Sequence, residues 1–167
     1  MQLWHDGGKS AIARIFNVYE EYCEYERTAQ VVPALIRKAI NYPKEDFVVW
    51  GNGNQTRNLI YIADCVDALL KKASYPPLFL TIGNPETTTI RELAETVVKV
   101  SGKKIPIRYD TLKPVGPISR IPDTQRAYTI LEWEAQTKLE DGVERTYRWI
   151  AAQIFEAHAF QPTRSFV

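Results

Sequence analysis

A chain of 167 residues, 45% hydrophobic and 25% charged, is sized and composed for one globular domain or a large domain fragment, which excludes a disordered segment. A net charge of +1 excludes the strong basic excess of a nucleic-acid binder, so each arginine and lysine must be weighed singly as a ligand for small anions. The two cysteines, Cys23 and Cys65, exclude a disulfide framework. No apolar run approaches the ~20 residues of a membrane helix, so no membrane span and a cytoplasmic location are expected.

The first residues, 1–9, lack the apolar centre of a signal peptide and are expected to form a tail. Residues 10–19 form a nearly continuous apolar run and predict one strand buried on both faces. The acidic stretch 20–27 predicts a loop or a short helix. Residues 31–40 predict a helix, with Pro33 tolerated in the first turn. A short strand at 47–50 leads into the turn Gly51-Asn52-Gly53-Asn54, and 59–61 predicts a brief extended piece.

Residues 62–73 predict a helix with Ile62, Val66, Leu69, Leu70 and Ala73 facing inward, followed by a strand at 78–82 that Gly83-Asn84-Pro85 stops. Thr89 and Glu92 have capping-box spacing, and Gly102 is placed to end the helix they open. A strand at 105–109 precedes a loop marked by Pro114, Gly116, Pro117 and Pro122. A short helix at 124–131 follows. Thr137 and Glu140 predict a second capping box, on a helix that reaches about residue 157 with Leu139, Val143, Ile150 and Ile154 inward. Residues 158–167 are expected to be a tail. Alternating strands and helices make residues 10–157 one α/β domain with parallel pairing.

The chemistry-bearing candidates are few. His5 and His158 have no Cys or His at ligand spacing, so a metal site is not expected. Gly51-Asn52-Gly53 follows a strand but opens no helix, and fails as a dinucleotide fingerprint. The same turn delivers Gln55, Thr56 and Arg57 to one rim, where an arginine can bind phosphate through two parallel N–H bonds. Arg120 in the Pro-rich loop and Lys38 on the helix at 31–40 are two further cations. On spacing alone each of these also fits a solvated surface residue.

Ala13-Arg14-Ile15-Phe16-Asn17-Val18-Tyr19, the helix from Val32-Pro33, and Gly51-Asn52-Gly53-Asn54-Gln55-Thr56-Arg57-Asn58-Leu59-Ile60-Tyr61 carry a further signal. So do Arg120-Ile121-Pro122-Asp123, Leu131-Glu132-Trp133 and the run Leu139-Glu140-Asp141-Gly142 to Thr146-Tyr147-Arg148-Trp149. In order and spacing these resemble the carboxy-terminal half of extended short-chain dehydrogenase/reductases, the NAD-dependent nucleotide-sugar epimerases and dehydratases, with GDP-mannose 3,5-epimerases nearest in look. The resemblance implies partial Rossmann-like parallel strands joined to that family's small α/β substrate-binding domain, with the cofactor half missing. It also implies that Asn17, Lys38, Gln55, Thr56, Arg57 and Arg120 hold a GDP-, UDP- or dTDP-linked sugar, with Arg57 and Arg120 on the diphosphate.

The sequence departs from the family at several points. It has no glycine-rich cofactor loop, and in place of a Tyr-x-x-x-Lys pair His5 stands four before Lys9. Glu20-Glu21 replaces Gly-Pro, setting two carboxylates where they would repel a diphosphate, and Gln30 replaces a lysine. The expectation is a domain that binds a nucleotide-diphosphate sugar without converting it, holds no NAD itself and has no catalytic residue. The alternatives are the substrate half of a split enzyme and a self-associating domain without ligand.

Overall fold

A computed structural model of the chain describes residues 2–6, 9–26, 29–73 and 78–159. Three strands make the largest sheet: β1 (Gln2–Asp6), β2 (Lys9–Ile15) and β7 (Phe79–Ile82), in the order β1-β2-β7. β2 runs parallel to β7, with Ile12 opposite Phe79 and Ile15 opposite Ile82. β1 runs antiparallel to β2, with Leu3 opposite Ile12. The stretch expected as a tail thus contains a strand. Its backbone covers the edge of β2, which would otherwise present unpaired N–H and C=O groups.

The strand expected over 10–19 is broken at Phe16 and Asn17. The Phe16 N–H is the last donor to β7, at the Ile82 carbonyl. One residue on, the Asn17 carbonyl accepts from Ile60, and β3 (Val18–Tyr19) pairs parallel with β6 (Ile60–Tyr61). The chain changes partner at Asn17, so one apolar run serves two small sheets.

The other pairs are β4 (Val48–Trp50) with β9 (Arg108–Asp110), parallel, and β5 (Thr56–Arg57) with β8 (Thr88–Thr89), antiparallel. The helices are α1 (Val31–Asn41), α2 (Ile62–Ala73), α3 (Ile90–Ser101), α4 (Gln125–Leu131) and α5 (Leu139–Ala159). The chain is therefore mixed α/β with parallel strands. Residues 20–26 form a loop, and residues 27, 28 and 160–167 lie outside the described part.

Among the described residues two apolar cores result. The larger joins α1, α3 and α5 through Val32, Leu35, Ile36, Leu93, Val97, Val143 and Ile150, all buried together with Phe47 and Val49. The smaller lies between the β2–β7 sheet, α2 and α4, and holds Ala13, Leu80, Ile82, Cys65, Ala68 and Leu131. The cysteines Cys23 and Cys65 are both free.

Local signals explain several boundaries. Thr89 accepts from the Glu92 N–H at 3.1 Å and donates its own N–H to the Glu92 carboxylate at 2.8 Å, completing the capping box of α3. Those bonds hold the Glu92 carboxyl below the usual carboxylate range. Gly102 ends α3 in the left-handed region at φ +65°. The second capping box is not formed: Glu140 turns instead to Lys99, at 2.6 Å, and the Gln136 and Thr137 N–H groups donate to Asp64 on α2.

The inward face expected for α2 is corrected. Val66 and Leu70 are 44% and 68% exposed, and the buried stripe is Cys65, Ala68 and Lys72. Small side chains let the helix lie close to the sheet, and Lys72 can sit there because its ammonium donates to the Leu78 carbonyl.

Candidate functional site

Between α1, β4 and the loop at 111–121 lies a cleft of about 480 Å³, within the usual size range of small-molecule sites. Its apolar wall comes from Val31, Ala34, Leu35, Val49 and Ile90, with Pro114 and Val115 opposite. Arg37, Lys38, Gln55 and Arg57 are its cationic and amide groups, and Glu26 is on its rim.

The turn after β4 sets Gln55 and Arg57. Gly51 adopts φ +80°, and a Cβ there would fall 2.4 Å from Val115 Cγ1, so only glycine permits this approach of loop to turn. The Gly51 N–H donates to Asp110, while Ile90 and Arg91 donate to the Gln55 and Gly53 carbonyls and fasten the turn to the start of α3. Gln55 is buried, and its amide donates to the Trp50 carbonyl at 2.8 Å.

Arg57 donates to the Thr56 and Pro117 carbonyls through Nη1, at 2.7 and 2.9 Å, and to Val115 through Nη2 at 2.9 Å. Lys38 donates to the Val48 carbonyl at 2.6 Å, and partial burial lowers its pKa, with Glu45 pulling it up and Arg37 adding to the lowering.

Three of the six residues singled out in the sequence, Lys38, Gln55 and Arg57, thus line one cleft. Thr56 sits beside it with its hydroxyl on Ser119 at 2.8 Å. Asn17 and Arg120 are not among the lining residues. The Asn17 amide holds the Asn58 carbonyl at 3.1 Å, and Arg120 is exposed on the loop.

Arg37 escaped sequence reasoning. It reaches Glu45 at 2.6 Å and the Glu26 carbonyl at 2.8 Å, yet its buried Nε has no hydrogen-bond partner among the described residues. The helical spacing Val31, Ala34, Leu35, Lys38 marks the cleft face of α1 and was the available signal.

The carboxylates of Glu20 and Glu21 are not at the cleft either. Glu21 accepts the Tyr61 hydroxyl proton at 2.6 and 2.7 Å, so the acidic group facing the site is Glu26.

The pattern of the NAD dependent epimerase/dehydratase family matches residues 3–76. A dTDP-4-dehydro-6-deoxy-D-allose reductase of Streptomyces bikiniensis is 35% identical over 142 residues, covering 83% of this chain and 42% of the reductase. The chain belongs to the NAD dependent epimerase/dehydratase family.

It spans less than half the length of the curated relatives it matches. A GDP-mannose 3,5-epimerase of Arabidopsis thaliana is 29% identical over 150 residues, covering 89% of this family member and 39% of the epimerase. The fold matches that of a UDP-glucose 4-epimerase from Thermotoga maritima, solved with UDP-glucose. The TM-score is 0.80 at 23% identity, with 89% of this chain and 48% of that one covered.

The family is NAD-dependent, and in this chain the Gly51–Gly53 turn leads from β4 into β5 rather than into a helix. A Cβ on Gly53 would meet Tyr109 Cε1 at 2.7 Å and Arg91 Cβ at 3.2 Å, so close packing within the protein accounts for the glycine at this position. Among the described residues no helix is long and apolar enough to cross a membrane.

Proposed function

We propose that this domain binds a nucleotide-diphosphate sugar in the α1–β4 cleft without converting it. One observation carries the reading: Lys38 and Arg57, from α1 and β5, line the same cleft with Arg37, beside apolar side chains able to take a base or sugar face. A diphosphate needs about two cations in fixed geometry, and guanidinium groups suit it best. Binding alone is proposed because these 167 residues contain no glycine-rich cofactor loop, and ahead of β2, where the family's Tyr-x-x-x-Lys pair would stand, His5 is four before Lys9. Titration calorimetry with UDP-, dTDP- and GDP-sugars tests it, and no heat at millimolar ligand would sink it. Which base and sugar are preferred is read from the same titrations.

A second reading, the substrate half of a split epimerase, is favoured by the exposed apolar side chains Val66 and Leu70 on α2 and Phe79 on β7. Co-expression with the cofactor half of a family member, assayed for NAD-dependent epimerisation, decides it. A complex that forms yet stays inactive would count against it.

A further inference from the structure

We infer that Arg57 is an exchangeable clasp: an anionic diphosphate entering the cleft draws its guanidinium off the Val115 and Pro117 carbonyls and releases the strap formed by residues 112–120. The inference rests on the ligand class proposed above and adds a device to that site.

The geometry has three parts. First, Arg57 is permanently charged, yet among the described residues no carboxylate pairs with it, and its partners are neutral carbonyls of Thr56, Val115 and Pro117. Charge-assisted bonds to phosphate are roughly twice as strong as bonds to neutral acceptors. A diphosphate therefore outcompetes the carbonyls for the same donors.

Second, the strap is lightly held. Its other ties to the body are the Thr56 N–H on the Ile118 carbonyl at 2.9 Å, the Thr56 and Ser119 hydroxyls, the Leu112 N–H on the Asp110 carboxylate at 3.1 Å, the Lys113 N–H on the Asp110 carbonyl at 3.4 Å, and the contact of Val115 with the Gly51 turn. Lys113 also stands 5.9 Å from the Trp50 ring. Leu112 and Ile118 are exposed, so they add no burial that would anchor it.

Third, the strap forms part of the cleft wall through Pro114 and Val115, so whatever fills the cleft meets the clasp directly. A ligand shifts such an equilibrium only by its preference for one form, and here the preference comes from Arg57 being free to face it.

The test uses trypsin at the Arg120–Ile121 bond and hydrogen exchange at the Thr56 amide, with uridine diphosphate, guanosine diphosphate and inorganic pyrophosphate as probes. Saturating nucleoside diphosphate is expected to speed cleavage at Arg120 by about fivefold, as cleavage tracks the open population. It is also expected to speed exchange at Thr56. Arg57→Lys, which cannot span three carbonyls with one planar fork, is expected to be cleaved at the fast rate without ligand and to gain nothing from it. Folding of that variant is checked by circular dichroism, and the wild-type titration decides the matter if it does not fold.

Calorimetric binding with unchanged or slower cleavage overturns the clasp and leaves the proposed function standing. Absence of binding overturns both. Arg57→Lys cleaved at the ligand-free wild-type rate overturns the clasp alone.

Discussion

Asn58 and Asn84 exchange hydrogen bonds in both directions: Asn58 Oδ1 accepts the Asn84 N–H at 2.9 Å, and Asn58 Nδ2 donates to the Asn84 carbonyl at 2.5 Å. Nδ2 also donates to the Glu86 carbonyl at 2.9 Å, and the side chain is fully buried. The pair ties the β5–β6 connection, beside the cleft, to the end of β7. Asn58→Asp is nearly isosteric but sets a carboxylate against two carbonyls. It is expected to cost about 2–3 kcal/mol at neutral pH in urea unfolding. The loss should shrink at acid pH, where a protonated carboxyl can donate again.

Gly142 on α5 faces the Tyr19 ring, and a Cβ there would lie 2.3 Å from the Tyr19 hydroxyl. Gly142→Ala should destabilise the domain by about 1–3 kcal/mol through overpacking. Combined with Tyr19→Phe the loss should fall below the sum of the two singles, since the closest atom is gone. A double-mutant cycle in denaturant measures that coupling, and strict additivity would mean the two sites do not touch.

Burial drives the Tyr19 phenol well above the ordinary tyrosine value near 10, with Asp64, Tyr61 and Asp141 adding to the shift. The folded chain keeps a proton that the unfolded chain gives up. Stability is therefore unaffected below pH about 10 and falls above it. Thermal unfolding followed from pH 8 to 11 should show this decline, and Tyr19→Phe should flatten it.

Lys38 and Glu26 act on the cleft with opposite sign. Lys38→Met should weaken nucleotide-sugar binding by about tenfold, the worth of one hydrogen bond to a charged group. Glu26→Gln should strengthen it by about twofold, since an exposed carboxylate repels a diphosphate only through screened solvent. Calorimetry at fixed ionic strength reads both.

Local signals were the legible ones. Thr89, Glu92 and Gly102 bound α3 because cap and box depend on residues three apart and on one glycine. The face of α2 is not legible from hydrophobicity, which favours large apolar side chains over Cys65 and Ala68, whose small size is what permits close packing. Glu140 left its expected box for Lys99, 41 residues away. The role of Arg57 was only half legible: its charge and rim position follow from the turn, but its partners are backbone carbonyls 58 and 60 residues on. Sequence patterns say which side chains a strand end presents, and very little about which distant carbonyl is waiting for them.

The way α5 closes the larger core has a consequence for how the chain is made. Val143 and Ile150 fill the same cluster as Val32, Ile36 and Leu93, more than a hundred residues earlier for the first of these. Until α5 leaves the ribosome, α1 and α3 lack its cover over their shared core, and the cleft wall on α1 is backed only in part, by α3, Phe47 and Val49. Assembly of the site must therefore wait for late synthesis, and nascent chains stalled before about residue 140 should be clients for holding chaperones.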